Sequence, residues 1–179
     1  MANRVERMSA TMRKVAILTL NGYFNYGNRL QNYSTQEALE SLDFEVETII
    51  NDTIYIANKS FLCKLTNLKH KSFKEIYNKL NSNLSKYIYR NGIAKRIEIF
   101  KKFTKDYIKE TNYAISKDNI PKDLSDRYNY FITGSDQVWN PCNLHGSSIY
   151  FLTFAEKHKR IAFAPSFGVS EIKAEYVER

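Results

Sequence analysis

The apolar positions of this chain fall into three uninterrupted runs, each broken off by small and polar residues. Residues 14–20 (KVAILTL) run into NGYFNYGNR; residues 128–133 (YNYFIT) stop at Gly134 and deliver Ser135, Asp136 and Gln137; residues 160–164 (RIAFA) run into PSFG. Continuous β-branched and aromatic runs of this length are how strands read when a sheet is covered on both faces. Residues 44–50 alternate and then become continuous, which adds a further strand. Between the first two strands, Leu30, Ser34, Ala38 and Leu42 recur at four-residue intervals with Leu39 beside them. They predict a helix from Asn28 to about Leu42 with those residues as its inner face. Strand, helix, strand opens a parallel α/β sheet. Ligands of such sheets bind beyond the carboxyl ends of the strands, so the three polar turns predict a single site.

The middle of the chain changes period. Phe73, Ile76, Tyr77, Leu80, Leu84 and Tyr87 recur every three to four residues, as do Ile93, Ile97, Phe100, Phe103 (or Thr104) and Ile108. This spacing predicts two or three amphipathic helices, with Asn91-Gly92 as a break between them. Residues 113–116 read as a short strand and residues 121–126 as a turn or short helix. Residues 148–154 fit a strand, a helix or a packed loop, and another helix is expected from Val169 onward.

Composition sets the class. The 179 residues are 43% hydrophobic and 14% aromatic, a globular rather than disordered balance. That length suits one domain, residues 14–179, preceded by an extension at residues 1–13 in which Met8 and Met12 are alternative starts. The net charge of +8 is uneven: residues 59–109 hold 14 Lys/Arg against Glu75, Glu98 and Asp106. The domain therefore carries a basic helical insertion at about 55–110. Such a segment is either a solvated face or an attractor of anions, namely phospholipid head groups or a lipid-pyrophosphate-linked glycan. Nucleic acid is disfavoured because no recognition motif accompanies the charge. Cys63 and Cys142 show no metal or redox spacing, no metal site is expected, and no apolar run approaches the roughly 20 residues needed to span a bilayer. Residues 1–13 lack the apolar core of a signal peptide. The expected location is the cytoplasm, with a peripheral place at the inner face of the membrane as an option.

The polar turns supply the chemistry. GYFNYG is neither a Walker loop nor a dinucleotide fingerprint, but it is still a strand-to-helix turn. Backbone N–H groups from Asn28 onward suit an anion or a hydroxyl-rich ligand. Asn25 and Asn28 add amides matched to sugar hydroxyls, and Gly22 and Gly27 enclose the turn. Asn28 is equally suited to capping the helix. Arg29 has the fork to hold a phosphate or carboxylate. Ser135 and Gln137 bind or brace, and Ser166 and Gly168 leave room for a ligand at the third strand. Trp139 suits either the core or a sugar ring. His145 is a loop histidine open to acid–base work or to plain solvation. His70 and His158 sit among lysines and need no function.

These same segments carry a family resemblance. Asn-Tyr-Gly-Asn-x-Leu-Gln at residues 25–31, Gly-Ser-Asp-Gln-Val-Trp-Asn-Pro at residues 134–141, and YFLTF followed by KRIAFAPSFG resemble the polysaccharide pyruvyl transferases. The likeness is dense over residues 14–42 and 128–168 and thin between. It implies an α/β, Rossmann-like, mostly parallel sheet with flanking helices, similar to the N-terminal half of a GT-B fold. By that likeness the chain is expected to cover the first half alone, with the second domain as a missing partner. The implied reaction moves a pyruvyl group, as a ketal, from phosphoenolpyruvate to a sugar of a cell-surface polysaccharide or lipid-linked glycan. Phosphoenolpyruvate is the donor substrate, and no other cofactor is implied. Asp136 becomes the catalytic candidate, a base for the sugar hydroxyl, although it also suits a turn cap or a partner for Arg29. Asn25, Gly27, Asn28, Arg29, Ser135, Gln137, Ser166 and Gly168 become the binding set. In the family the other half is thought to bind the donor, so this chain alone is expected to be inactive. The alternatives are a glycan- or partner-binding remnant and the first half of a GT-B glycosyltransferase using a nucleotide sugar. The chain departs from the family pattern at Ser34-Thr35, where an apolar pair is usual, at Asp43, where a glycine often ends the helix, and at Pro165.

Overall fold

A computed structural model of the chain describes residues 13–23, 25–53, 90–141 and 148–172. Five strands form one sheet: β1 (Lys14–Leu18), β2 (Glu45–Asn51), β3 (Glu110–Ile115), β4 (Tyr130–Asp136) and β5 (Arg160–Pro165), in the order β3-β2-β1-β4-β5. Every neighbouring pair is parallel. With helices α1 (Tyr26–Glu40) and α2 (Arg90–Tyr107), this is an α/β Rossmann-like fold. The strand order reverses between β1 and β4, and the crevice at that switch point is where such sheets take ligands. Among the described residues, no helix is long and apolar enough to cross a membrane.

The main core lies on one face of the sheet. Ala16, Leu18, Ile49 and Phe131 point there and meet Leu124, Ile149, Leu152 and Ala155. Residues 148–151 form a single 3-10 turn within this layer, which settles the three-way reading of that segment. Another 3-10 turn, Leu124–Arg127, leads toward β4. β5 is an edge strand, as is β3, and its Ile161 and Phe163 are exposed.

The other face is covered by α1, and here the expected inner face is corrected. Leu30 and Leu42 are 52% and 65% exposed, and Ser34 and Ala38 also face out, while Arg29, Asn32, Thr35 and Gln36 are buried. The sheet edge beneath offers polar partners, so the helix turns its polar side inward. Thr48 Oγ1 donates to Asn32 Oδ1 at 2.9 Å. Gln36 Nε2 donates to the Tyr107 carbonyl at 3.0 Å, and Gln36 Oε1 accepts from Lys109 N at 2.8 Å. The hydroxyl that bonds back within the helix belongs to Thr35, which donates to the Gln31 carbonyl, rather than to the exposed Ser34.

The boundaries shift too. α1 starts at Tyr26 with Asn25 as its N-cap, so Asn28 lies inside the first turn and is not the cap. Asp43 ends the helix region at φ 62°, the left-handed conformation that glycine would take. β4 does not stop at Gly134: its pairing continues through Gly134–Phe163 to Asp136–Pro165. Asn91 and Gly92 lie inside α2 rather than between helices. Of residues 113–116, Tyr113 to Ile115 belong to the longer strand β3, while Ser116 forms an isolated bridge with Asn119. The helix expected from Val169 shows no helical turn up to Ile172, and the rest of it lies outside the described residues. So do residues 1–12, the periodic segment at 73–87, Cys63, Cys142, His70 and His145.

Candidate functional site

The end of β4 is built from unusual backbone. Gly134 has φ 109°, and a Cβ there would sit 2.2 Å from the Phe163 carbonyl oxygen, so the close passage of β5 requires glycine. Asp136 follows at φ 75°. Its backbone carbonyl accepts from Ser166 N at 2.9 Å, and Trp139 N donates to the Ser166 carbonyl at 3.2 Å. The turn after β4 and the turn after β5 are thus zipped together. Gly168 seats the Gln137 side chain, which a Cβ would meet at 2.4 Å. Gln137 in turn accepts from Asn140 Nδ2 at 2.8 Å. Asp136 Oδ1 accepts from Gln137 N at 2.8 Å, and the carboxylate is partly exposed.

The turn is tied to α1 by one side chain. Gln31 Oε1 accepts from both Ser135 N, at 3.0 Å, and Ser135 Oγ, at 2.9 Å, while Gln31 Nε2 donates to Thr19 Oγ1. Thr19 immediately follows β1's end in the crevice. Gly27 stands four residues before Gln31, one turn nearer the helix start and on the same flank. Asn25 Oδ1 accepts from Gly27 N at 2.8 Å and fixes that start. Asn28 Oδ1 is buried with no partner among the described residues, as is Thr133 Oγ1 one residue before Gly134. Buried polar atoms of this kind ask for a partner.

The nine residues expected to form one site therefore divide. Ser135, Asp136, Gln137, Ser166 and Gly168 are contiguous, and the helix start with Asn25, Gly27 and Asn28 joins them through Gln31. Arg29 goes elsewhere. It is 1% exposed and points between α1, α2 and β3, where Nη1 donates to Glu110 Oε1 at 3.1 Å and to Thr104 Oγ1 at 3.4 Å. The Tyr23 ring lies 4.9 Å from its guanidinium carbon. Asp136 is not its ion-pair partner; Glu110 is. Trp139 is used for packing: its ring stacks on Phe151 at 5.5 Å and touches Phe167 at 5.6 Å, while Nε1 donates to the Tyr150 carbonyl.

Thr19, Gln31 and Glu110 were not foreseen as site or partner residues. Gln31 closes the motif at residues 25–31, and that was the signal available for it. Glu110 had none, because a carboxylate at a strand start reads as solvent-facing.

What gathers at the crevice is amide, hydroxyl and one carboxylate. Such a set can hold a polyhydroxylated ligand and take a proton from it. No family model, no curated protein and no solved structure matches the chain.

Proposed function

We propose that the crevice is the acceptor side of a pyruvyl transfer site, with Asp136 as the base for a sugar hydroxyl. The observation that supports this most is the Thr19–Gln31–Ser135 network. It ties Ser135, the neighbour of the partly exposed Asp136, to α1 one turn beyond that helix's asparagine-rich start, at the sheet's switch point. The motifs at residues 25–31 and 134–141, on which the family resemblance rests, are the two halves of that network.

The reaction joins two sugar hydroxyls to C2 of phosphoenolpyruvate. One hydroxyl adds to C2 as an acid on the donor side gives a proton to the methylene carbon, the second displaces phosphate, and the second hydroxyl proton leaves with the phosphate. Asp136 takes the first hydroxyl proton. The donor's phosphate and carboxylate need cations, and Arg29 is engaged by Glu110. Donor binding is therefore assigned to a second domain, and the chain supplies acceptor binding. The exposed rings of Phe151, Phe163 and Phe167 near the β4 and β5 ends offer apolar surface to such a domain.

The test is a phosphate-release assay with hexose disaccharides carrying two free neighbouring hydroxyls, with ketal formation followed by mass. The chain alone should release no phosphate. Turnover should appear when the second half of a pyruvyl transferase is added in trans. Ketal formation by the chain alone would put the donor site within it and overturn the division of labour. Saccharide binding that never turns over with any second half would favour the glycan-binding alternative.

A further inference from the structure

On the side of α1 away from the sheet, two aromatic and apolar rows lie side by side. Tyr26, Leu30 and Tyr33 follow one another at helical spacing on α1, and Ile99, Phe103 and Tyr107 do so on α2. Tyr33 meets Phe103 and Tyr107 edge-on, each at 5.9 Å, and a shallow, open cleft lined by Tyr26, Leu30, Ile99 and Phe103 runs between the rows. Tyr26, Leu30, Ile99 and Tyr107 are each about half exposed, at 50–53%. Soluble monomers rarely leave so continuous an apolar strip open unless it meets something.

The charge around the strip names the partner. α2 carries Lys95, Arg96, Lys101, Lys102 and Lys105 against Glu98 and Asp106, with Lys102 paired to Asp106 at 3.4 Å, and α1 sets Glu37 beside Tyr33 at the far end of the strip. The Arg96 guanidinium lies 5.1 Å from the Tyr26 ring centre, at the rim of the cleft. Apolar side chains, tyrosines and a basic border on one helical surface make up the combination that seats in the head-group region of an anionic bilayer. A protein partner would need acidic complementarity over the same outline; a bilayer supplies it as a continuous surface.

We propose that the outer face of the α1–α2 pair docks on anionic phospholipid membranes. Leu30 and Ile99 enter the acyl boundary, Tyr26 and Tyr107 sit at head-group depth, and the α2 lysines contact the phosphates. Tyr26 is also the first residue of α1, between Asn25 and Gly27, so the docked face adjoins the crevice. The docking does not depend on the reaction proposed above.

Sedimentation of the full chain with phosphatidylglycerol–phosphatidylcholine vesicles, and with phosphatidylcholine alone, tests this. The chain should pellet with the anionic vesicles at low salt and be released at about 1 M salt, where the Debye length is about 3 Å. Lys95→Glu with Lys102→Glu should lower partitioning at least about tenfold. Leu30→Asp with Ile99→Asp should do the same at an unchanged melting temperature. Absence of binding at low salt overturns the proposal, and so does equal binding to neutral vesicles. Loss with the lysine changes but not with the Leu30 and Ile99 changes removes the cleft from the interface and also overturns it. Concentration-dependent dimers that Ile99→Asp dissolves, in a chain that ignores vesicles, would assign the strip to a second copy instead.

Discussion

Gly134 and Gln31 are the residues on which the crevice depends. A side chain at Gly134 meets the Phe163 carbonyl and a backbone φ of 109°. Gly134→Ala should therefore cost at least about 2–3 kcal/mol in chemical denaturation. An alanine variant within a few tenths of wild type would show that β5 does not pass as closely as described. Gln31 acts differently: it holds Ser135 rather than touching a reacting atom. Gln31→Ala should leave the fold intact and weaken saccharide binding. Gln31→Glu keeps both acceptor bonds from Ser135 but loses the donor to Thr19, and should recover part of that binding. Equal loss in both variants would mean the side chain only fills space. Asp136→Asn, in the reconstituted system, should lower turnover by about 10²–10⁴-fold while binding persists; full activity would reduce Asp136 to a turn former.

At the scale of elements, the central claim is that α1 lies polar side down. Gln36 satisfies the Lys109 N–H and the Tyr107 carbonyl at the join of α2 and β3. Gln36→Ala should cost about 1–3 kcal/mol, because it removes two side-chain bonds to part-buried backbone groups and empties a buried position. Leu30→Ser, on the exposed side, should cost under about 0.5 kcal/mol. The opposite ranking in urea melts would restore the apolar inner face. This is also where the sequence was least legible. The strands could be read because continuous apolar runs have few other uses. The helix rotation could not, because polar residues normally face out, and only the three-dimensional placement of Thr48, Tyr107, Lys109 and Glu110 makes burying Asn32, Gln36 and Arg29 favourable. The end of β4 was missed for a related reason. Glycine followed by Ser-Asp reads as a turn, yet the paired backbone continues through two residues at positive φ. The polar turns themselves were legible as a cluster, and the zipper between Asp136 and Ser166 follows from their strands being neighbours.

For the whole molecule, the sheet's amino-terminal end carries a network that should govern its alkaline limit. The Tyr128 hydroxyl donates to Glu47 Oε1 at 2.8 Å and lies 2.7 Å from the Tyr113 hydroxyl; Lys14 Nζ pairs with the same Glu47 oxygen. Burial first, then the bonds to Tyr113 and Glu47, raise the Tyr128 pKa well above its ordinary value. The bond to Glu47 chiefly raises that of Lys14. Both groups are shifted upward on folding, so their contribution is fully present below about pH 10 and is lost as pH rises through the folded-state values. Melting temperature should be flat from neutral pH to about 10 and fall above it, and Tyr128→Phe should flatten that fall. A melting curve independent of pH across that range would dissociate the network from stability. The opposite, carboxyl end of the sheet holds the functional claim, and amide chemical shifts report on it directly. Titrating a hexose disaccharide with two free neighbouring hydroxyls into the labelled chain should move the signals of Gly27, Asn28, Gln31, Ser135 and Asp136 together, and leave Thr104 and Glu110 beside the buried Arg29 unmoved. Shifts confined to Arg29, Thr104 and Glu110, or none at saturating sugar, would contradict an acceptor site at the β1–β4 crevice.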